Sequence, residues 1–565
     1  MKRIIVSIFS LLLTFPIFAC TNLIITKGAS KDGSVMVTYA ADSHTRYGTL
    51  VHYPANFYRA GEMLKIYEWG KDRFLGEIPQ AQRTYNVIGN INEHQVLIGE
   101  STWGGREEFR DPDGILDYGS AMYIALQRSK TAREAIDIFT SIIEEYGYAS
   151  SGESISFADA NEAWFLEIIG KKPKYSQEKD ANGKAINLNK GAVWVAIRIP
   201  DGYISAHANC ARITTFPLND SENCHYSKDV ISHARELGLF DGKDEEFSFA
   251  DTYGPLDFSG MRGCEARVWS FFRKYGAEDM DQYLDYASGE NPNNRMPLYV
   301  KAKEKLSVKE VADMMRDHYE RTPFDMTTDI GAGPNELPYR WRPMNIEIDG
   351  VTIANERAIA TQQTGFWFVG QCRSWLPDEI GALIWFAVDD AGTSPLTPVY
   401  ASSTEVSPHY ALGNGSMIEY SESSMFWLQN RIAQFAYLRY NQIGKEVRIV
   451  IDEYENEIME NITKIDNKAL EIYKGGKKAK KATQFLTDFS IEHASKLFQK
   501  WSDLDKYLLV KYIDGNTKKQ DPQTGKFITN GHSETIPPTP IWEGYSDKFK
   551  RAIKDDPANK IRIIK

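Results

Sequence analysis

The stretch Ala19-Cys20-Thr21-Asn22-Leu23-Ile24-Ile25 marks the point where an apolar leader ends and a strand-like run begins. If Cys20 becomes the first residue of the mature chain, one residue carries both a thiol and a free α-amino group. A thiol with a general base on the same residue is a self-sufficient nucleophile for acyl transfer. An α-amino group has an ordinary pKa of about 7.7–8.0, so part of it is free base near neutral pH. The chemistry available to this chain therefore depends on this junction.

Residues 1–19 have the design of a secretory signal peptide. Lys2 and Arg3 form a basic start, Ile4 to Leu13 an apolar segment, and a proline and a small residue precede Cys20. The apolar segment is too short to span a membrane. We therefore expect a periplasmic or secreted protein without stable membrane insertion. The alternative is a lipoprotein, because Ile17-Phe18-Ala19-Cys20 partly fits a lipidation signal, and a lipid on Cys20 would remove both catalytic groups.

Size and charge exclude several classes of protein. The chain has 565 residues, 42% of them hydrophobic and 25% charged, which indicates a globular protein of two or three packed units. Its net charge of −11 argues against a nucleic-acid partner, since phosphate binding needs a basic face. A lysine-rich run at 474–481 is interpreted as a solvated turn between two amphipathic segments.

The five cysteines also bear on Cys20. An exported chain meets an oxidising compartment, and without Cys20 four cysteines remain that could pair. Cys210 and Cys224 are the most plausible bridge by proximity, although Cys264, Cys372 and these two could equally be buried thiols.

The pattern after Cys20 predicts sheets covered by helices. An Asp32-Gly33 turn between apolar runs predicts a hairpin of 21–27 with 35–40. Another hairpin is predicted for 85–89 with 96–100, and the capping box Thr131 to Glu134 opens the second of two helices. Two more hairpins are predicted, 154–157 with 163–169 and 193–199 with 203–206.

The rest of the chain divides by its periodicity. A helical insertion is predicted for about 216–345, and strands buried on both faces for 365–371 and 381–388. Apolar residues then recur every three or four positions, which indicates a helical layer. We therefore divide the chain into a signal peptide at 1–19, a catalytic domain at 20–400 and a mainly helical region at 401–565 packing on it.

Motifs for most other chemistries are missing from the sequence. It has no CxxC, HExxH or EF-hand pattern, so we expect no metal site. It has no Walker A loop and no GxGxxG opening a helix, so we expect no nucleotide cofactor. No G-x-S-x-G elbow surrounds a serine, which leaves Cys20 as the candidate nucleophile.

Several short motifs together carry a family resemblance: Cys20-Thr21-Asn22, Ser30-Lys31-Asp32-Gly33-Ser34, Ala41-Asp42-Ser43-His44, Gly104-Gly105-Arg106 and Ile204-Ser205-Ala206-His207-Ala208-Asn209. They resemble the dipeptidase A family of cysteine peptidases, which are N-terminal nucleophile hydrolases related to penicillin V acylase and bile salt hydrolase. The resemblance implies an α+β fold, an αββα sandwich to which this chain adds a helical C-terminal layer. It also implies cofactor-free hydrolysis of dipeptides or short peptides. An amidase or acylase of the same fold, cleaving non-peptide amides, is the alternative, and the oligomeric state stays open.

The resemblance also assigns roles to residues. Cys20 is the nucleophile, Asp42 orients its amine, and Asn92 and Asn209 are the amides near the oxyanion. The related acylases carry an arginine where this chain has Tyr39. The candidates to replace that arginine or to bind the substrate are Arg106, Arg212 and Arg373. Two roles stay open for Arg106 in its Gly-rich loop: holding a substrate carboxylate, or pairing with a neighbouring glutamate. His94 and His207 are interpreted as structural residues rather than bases.

Overall fold

The fold is described from a computed structural model that covers residues 20–180, 183–341, 345–537 and 544–556. The predicted signal peptide, residues 1–19, lies outside the described residues.

Strands and helices alternate along the described residues. The strands are β1 (Asn22–Ile25), β2 (Val35–Asp42), β3 (His52–Tyr53), β4 (Asn56–Phe57), β5 (Met63–Tyr67), β6 (Phe74–Pro79), β7 (Arg83–Thr84), β8 (Val87–Ile88), β9 (Ile91–Asn92), β10 (Leu97–Gly104), β11 (Gly152–Ala158), β12 (Ala163–Gly170), β13 (Tyr175–Lys179), β14 (Ala185–Asn187), β15 (Ala192–Arg198), β16 (Tyr203–His207), β17 (Cys224–Tyr226), β18 (Tyr299–Lys301), β19 (Asn345–Ile348), β20 (Val351–Ala354), β21 (Thr364–Cys372), β22 (Ala382–Val388) and β23 (Thr397–Tyr400). The α-helices are α1 (Tyr118–Arg128), α2 (Ala132–Tyr146), α3 (Val230–Glu236), α4 (Phe249–Tyr253), α5 (Ala266–Tyr275), α6 (Leu284–Ser288), α7 (Val308–Met315), α8 (Asp378–Gly381), α9 (Met425–Leu438), α10 (Tyr440–Tyr473), α11 (Ala479–Tyr512) and α12 (Asp547–Asp555).

Two large sheets, both antiparallel, form the centre of the protein. The first sheet has the order β18-β16-β1-β2-β21-β22-β23, and the second has the order β17-β15-β12-β11-β10-β9-β8-β3. The sheets touch beside the start of β1, where a Cβ on Gly99 of β10 would lie 2.2 Å from Asn22 Oδ1. Only glycine fits at that position, so the two sheets approach closely next to Cys20.

Helices cover the outer faces of both sheets. The face of α2 that carries Phe139 and Ile143 packs with Phe157 of β11 in the core of the second sheet. Helices α5, α7, α10 and α11 share one continuous hydrophobic core with the first sheet. The layers therefore run helix, sheet, sheet, helix, and the predicted α+β fold is confirmed.

Local sequence explains the helix ends. The Thr131 side chain accepts a hydrogen bond from the Glu134 amide at the start of α2, and Gly147 ends that helix with φ 86°. At α7 the capping box is complete, because Ser307 and Glu310 each accept the other's backbone amide.

The chain changes sheets between β15 and β16. The predicted hairpin of 193–199 with 203–206 is therefore wrong. β15 pairs with β12 and β17 in the second sheet. β16 pairs with β1 and β18 in the first sheet. A turn signal shows where a strand ends, but the partner of each strand is set by long-range burial. This crossing places Asn209, two residues after β16, beside the start of β1.

Helices α10 and α11 form a long hairpin on the first sheet. Their turn begins at Lys474 in the left-handed conformation, and the lysine-rich run at 474–481 is mostly exposed, as interpreted. Arg316 after α7 pairs with buried Glu455 of α10, which ties this layer to the sheet. No helix in the described part of the chain is long and apolar enough to cross a bilayer.

All five cysteines are free thiols. The predicted Cys210–Cys224 bridge is therefore not formed. The Cys210 thiol donates to Glu265 Oε1 at 3.2 Å, whereas Cys224 lies on β17 in a separate hydrophobic cluster.

Candidate active site

Cys20 stands at the start of β1, in the middle of the first sheet, and is only 4% exposed. Its sulfur lies 4.0 Å from the Tyr39 hydroxyl and 3.8 Å from Glu100 Oε1, and the backbone amide of Asp42 donates to it. Burial, followed by the charge of Glu100, raises the pKa of the Cys20 thiol well above its usual value. The resting sulfur is therefore a neutral thiol in this environment.

Arg267 of α5 clamps the two strand ends that meet at Cys20. It is 1% exposed, and its Nη1 donates to the Cys20 carbonyl oxygen and to Thr21 Oγ1, both at 2.7 Å. Its Nη2 donates to the Ala208 carbonyl at 2.8 Å and to Asn209 Oδ1 at 3.0 Å. The sequence reasoning missed Arg267, although an arginine among the buried residues of a helix was a usable signal.

Asn209 lies beside the strand ends that Arg267 joins. It adopts φ 65°, a left-handed conformation that asparagine tolerates. Its Nδ2 donates to the Thr102 carbonyl at 2.6 Å, while its Oδ1 accepts from Arg267. The side chain is thus fixed between β10 and α5, and its role near the oxyanion stays a prediction.

Asp42 closes the site at the end of β2. Its carboxylate forms an ion pair with Arg357 and accepts from Thr364 Oγ1 at 2.7 Å. Burial raises the pKa of Asp42 to about 6, opposed by the Arg357 charge. Asp42 therefore contacts the Cys20 sulfur through its own backbone amide. Its predicted role, orienting the α-amine of Cys20, stays a prediction.

Asn92 is a structural residue, which corrects its predicted place near the oxyanion. Its Nδ2 donates to the Leu126 and Ser129 carbonyls at 2.7 and 2.8 Å, at the end of α1. Its Oδ1 accepts from the His94 and Val96 amides, both at 2.9 Å. The four bonds join the Asn92 side-chain amide to the end of α1 and to the turn before β10, and they use its two donor hydrogens and its oxygen.

Two of the three candidate arginines are also structural. Arg212 is buried against Glu265 at 2.8 Å and donates to backbone carbonyls. Arg373 is buried against Asp466 of α10 at 2.6 Å, so it fastens the helical layer to the first sheet. Their predicted roles in substrate binding are corrected accordingly. Arg106 differs, because its side chain is 29% exposed and it lines a cavity.

That cavity is the candidate substrate site. It encloses about 400 Å³ and is lined by Asn209 and Arg267 from the strand-end clamp. Its remaining wall is apolar and charged: it includes Trp103, Leu256 and Phe258, the arginines Arg106, Arg262 and Arg357, and the acidic residues Asp257 and Glu356. Arg262 is paired with Glu356, and Arg357 with Asp42. A volume of this size suits a small peptide, and the arginines suit a carboxylate.

Tyr39 binds a carboxylate, where the related acylases place an arginine. Its hydroxyl donates to Glu100 Oε1. Glu100 has Glu153 of the neighbouring strand β11 beside it, and Glu153 Oε1 accepts from Thr102 Oγ1 at 2.8 Å. The sequence reasoning missed both glutamates, although each is a charged residue inside a buried strand.

Neither candidate histidine contacts the sulfur. His207 lies between Ser101 and Ser156, at 2.6 and 2.7 Å, and burial lowers its pKa well below the usual value. His94 pairs with Asp378 at 3.0 Å. In the described ranges, no group of three or more histidine, cysteine, aspartate or glutamate residues could hold a metal ion.

The fold and the site together define a cysteine-type peptidase. Residues 19–453 match the model of Peptidase family C69, and the chain belongs to that family. The resemblance noted from the motifs is thereby confirmed.

Relatives of known description agree with this assignment. The chain is 23% identical to a "Probable dipeptidase" of Salmonella dublin, over 72% of this chain and 87% of the relative. It is 22% identical to a "Probable dipeptidase B" of Streptococcus pyogenes serotype M1, over 93% of this chain and 98% of the relative. Among solved structures, penicillin V acylase from Agrobacterium tumefaciens aligns with 73% of this chain and 96% of its own, at 12% identity and a TM-score of 0.27. The fold assignment rests on the sheet order given above.

Proposed function

We propose that this protein is an exported cysteine dipeptidase that cleaves dipeptides or short peptides through a thioester on Cys20. The observation that carries the proposal is the clamp of Arg267, which joins the Cys20 carbonyl to Asn209 on the cavity wall. In this proposal a peptide bound in the cavity reaches Cys20 past Asn209 and Arg267 on the cavity wall. The leader at 1–19 supports export, and its removal would free the α-amine of Cys20.

The reaction follows from the groups at the site. The sulfur attacks the scissile carbonyl, a thioester forms, and the amine component leaves with a proton. Water then hydrolyses the thioester, with the α-amine of Cys20 as its general base. In this proposal Asn209 stabilises the oxyanion and Arg106 binds the carboxylate of the peptide.

Mass spectrometry of the mature protein tests this proposal. We expect a free N-terminal Cys20, alkylated by iodoacetamide at that residue with loss of dipeptidase activity, and an inactive Cys20→Ala variant. Cys224→Ala is the matched control, because that thiol is buried in another hydrophobic cluster. It should keep the activity and the labelling of Cys20. Full activity of Cys20→Ala, or a diacylglyceryl group on Cys20, would refute the proposal.

A panel of substrates separates the dipeptidase from an amidase or acylase of the same fold. We expect dipeptides to be cleaved with a higher kcat/KM than N-acylated amino acids or conjugated bile salts. A clear preference for the non-peptide amides would replace the dipeptidase by an acylase while leaving Cys20 as nucleophile.

A further inference from the structure

Glu100 and Glu153 form a buried carboxyl pair next to the sulfur. They stand on neighbouring strands β10 and β11, where Thr102 pairs with Glu153 and Ile155 with Glu100, so both point to the same face. Both side chains are inaccessible, and no basic residue in the described ranges forms an ion pair with either. Burying two carboxyl groups without an ion pair is unfavourable, so we expect this pair to have a functional role.

Hydrogen bonds and burial distinguish the two glutamates. Tyr39 donates to Glu100 Oε1, and the Cys20 thiol points to the same oxygen at 3.8 Å, so Glu100 acts as an ionised acceptor. Two facing carboxyls in a buried site resist being ionised together, and the Glu100 charge makes Glu153 the one that stays protonated. Burial raises the pKa of both groups, and that of Glu153 more strongly because of the Glu100 charge.

Other titratable groups face this pair from the surrounding elements. One cation opposes the charge of Glu100, the Arg46 guanidinium, which stacks on Trp69 at 3.6 Å. The other groups around the pair are acidic or phenolic, namely Asp42, Asp117, Tyr118, Tyr123 and Tyr148. Two more cations lie near Cys20 itself: Arg267 on its carbonyl oxygen and Arg357, which neutralises Asp42. Glu100 is therefore the anion in contact with the sulfur.

We propose that Glu100 is a second catalytic residue, which takes the proton of the Cys20 thiol during attack and returns it when the thioester is hydrolysed. Glu153 and Tyr39 are positioning residues that act through Glu100. The inference rests on the proposed function, since it needs Cys20 as nucleophile.

In acylation two protons move through two groups. The S–H bond breaks and an O–H bond forms on Glu100, while the sulfur bonds to the carbonyl carbon and the carbonyl electron pair moves to oxygen. When the oxyanion collapses, the C–N bond breaks and the α-ammonium of Cys20 gives its proton to the leaving amine. The acyl-enzyme then holds neutral Glu100 and a free α-amine.

Deacylation restores both groups. The α-amine takes a proton from water as the hydroxide bonds to the thioester carbon. On collapse the C–S bond breaks, and Glu100 returns its proton to the departing sulfur. The enzyme regains its thiol, carboxylate and ammonium, so protons and charge balance over the cycle.

This division suits the ordinary pKa of an α-amine, about 7.7–8.0. At neutral pH the larger part of the amine is an ammonium, which can protonate a leaving group, and only the smaller free-base part can accept the thiol proton. A carboxylate beside the sulfur supplies the missing acceptor. Burial and then the Glu100 charge raise the pKa of the Cys20 thiol, which keeps it protonated between turnovers. An arginine at the position of Tyr39 would lower that pKa instead.

Glu100→Gln tests the proposal through two measurements that should move in opposite directions. Loss of the acceptor should lower kcat/KM for a dipeptide about 100-fold or more. Loss of the negative charge should lower the pKa of the Cys20 thiol, so alkylation by iodoacetamide at neutral pH should become several-fold faster. A merely structural role would not produce this combination.

Two further variants complete the experiment. Glu167→Gln is the matched control, because Glu167 is a buried carboxylate of β12 that caps the Arg212 and Ile213 amides. It should leave the pH profile of kcat/KM unchanged. Glu153→Gln keeps a neutral donor beside Glu100 at every pH, so the acid limb of that profile should stay in place.

The outcomes separate this inference from the proposed function. If Cys20→Ala is inactive but Glu100→Gln keeps its kcat/KM, Glu100 has no catalytic role and the nucleophile stands. A parallel fall of hydrolysis and alkylation in a folded Glu100→Gln protein would also overturn the inference. Activity in Cys20→Ala would instead remove the proposed function itself.

Discussion

Tyr39→Phe is the substitution whose effect follows most directly from the geometry of the site. Tyr39 is fully buried and its ring packs edge-on against Phe366 and Phe368, contacts that phenylalanine keeps. The variant removes the hydroxyl that donates to Glu100 Oε1. The packing is preserved, so the change removes the hydrogen bond to the carboxylate together with the 4.0 Å contact of the Cys20 sulfur with the hydroxyl.

The magnitude comes from the value of that bond. A hydrogen bond to a charged group is worth about 1.5–3 kcal/mol, which corresponds to about 1–2 pH units. The bond stabilises the ionised form of Glu100, so its loss raises the pKa of Glu100. The acid limb of the kcat/KM profile should therefore move about 1–2 units to higher pH. Activity should fall strongly near pH 6 and little near pH 9.

The assay is kcat/KM for one dipeptide from pH 4 to 10, with each variant checked for folding by circular dichroism. Tyr400→Phe is the matched control, because the Tyr400 hydroxyl donates to Asp466 at 2.7 Å on the side of α10. It should lose comparable stability and keep the profile. An acid limb that stays in place or moves to lower pH in Tyr39→Phe would show that this bond does not tune the reacting carboxylate.

Three more substitutions test separate parts of the structure. Asn92→Ala should lower the free energy of unfolding by about 3 kcal/mol or more, measured in urea, because it leaves buried carbonyls and amides unpaired; an equal loss in kcat would restore a catalytic role for Asn92. Asp389→Asn addresses a carboxyl whose pKa is raised to about 8 by burial and then by Asp390. The folded state then binds more protons than the unfolded state above pH 4, so stability of the parent should fall from pH 5 to pH 8. Thermal unfolding of Asp389→Asn should show a flatter pH dependence, and an unchanged slope would contradict this. Arg106→Ala should raise KM about tenfold for a dipeptide and leave KM unchanged for its C-terminal amide; equal effects on both would exclude a carboxylate contact.

Local features of the sequence predicted much of this fold. The Asp32-Gly33 turn gave the β1–β2 hairpin, and the Thr131 cap gave the start of α2. These signals lie within a few residues of the structure they specify. The separation of β15 and β16 into different sheets was not predictable in this way, since it depends on partners elsewhere in the chain.

The candidate site was predictable only where a residue had a local pattern. Cys20 follows a leader, and Asn209 follows a strand. Asn92 fitted the same description as Asn209, yet its surroundings are a helix end. Arg267 and the pair of Glu100 with Glu153 lie inside regular elements, and only the packing of those elements shows what they contact.

The pairing of β2 with β21 has a consequence for folding kinetics. Asp42 accepts from Thr364, 322 positions later, and the Cys20 carbonyl accepts from Arg267, 247 positions later. Contacts of such high sequence separation form slowly, because the entropy cost of closing a long loop comes before the stabilisation by the contact. The surroundings of the nucleophile are thus completed late, after most of the chain has been synthesised. A nascent or truncated chain has the cysteine but lacks the enclosure that gives it selective reactivity.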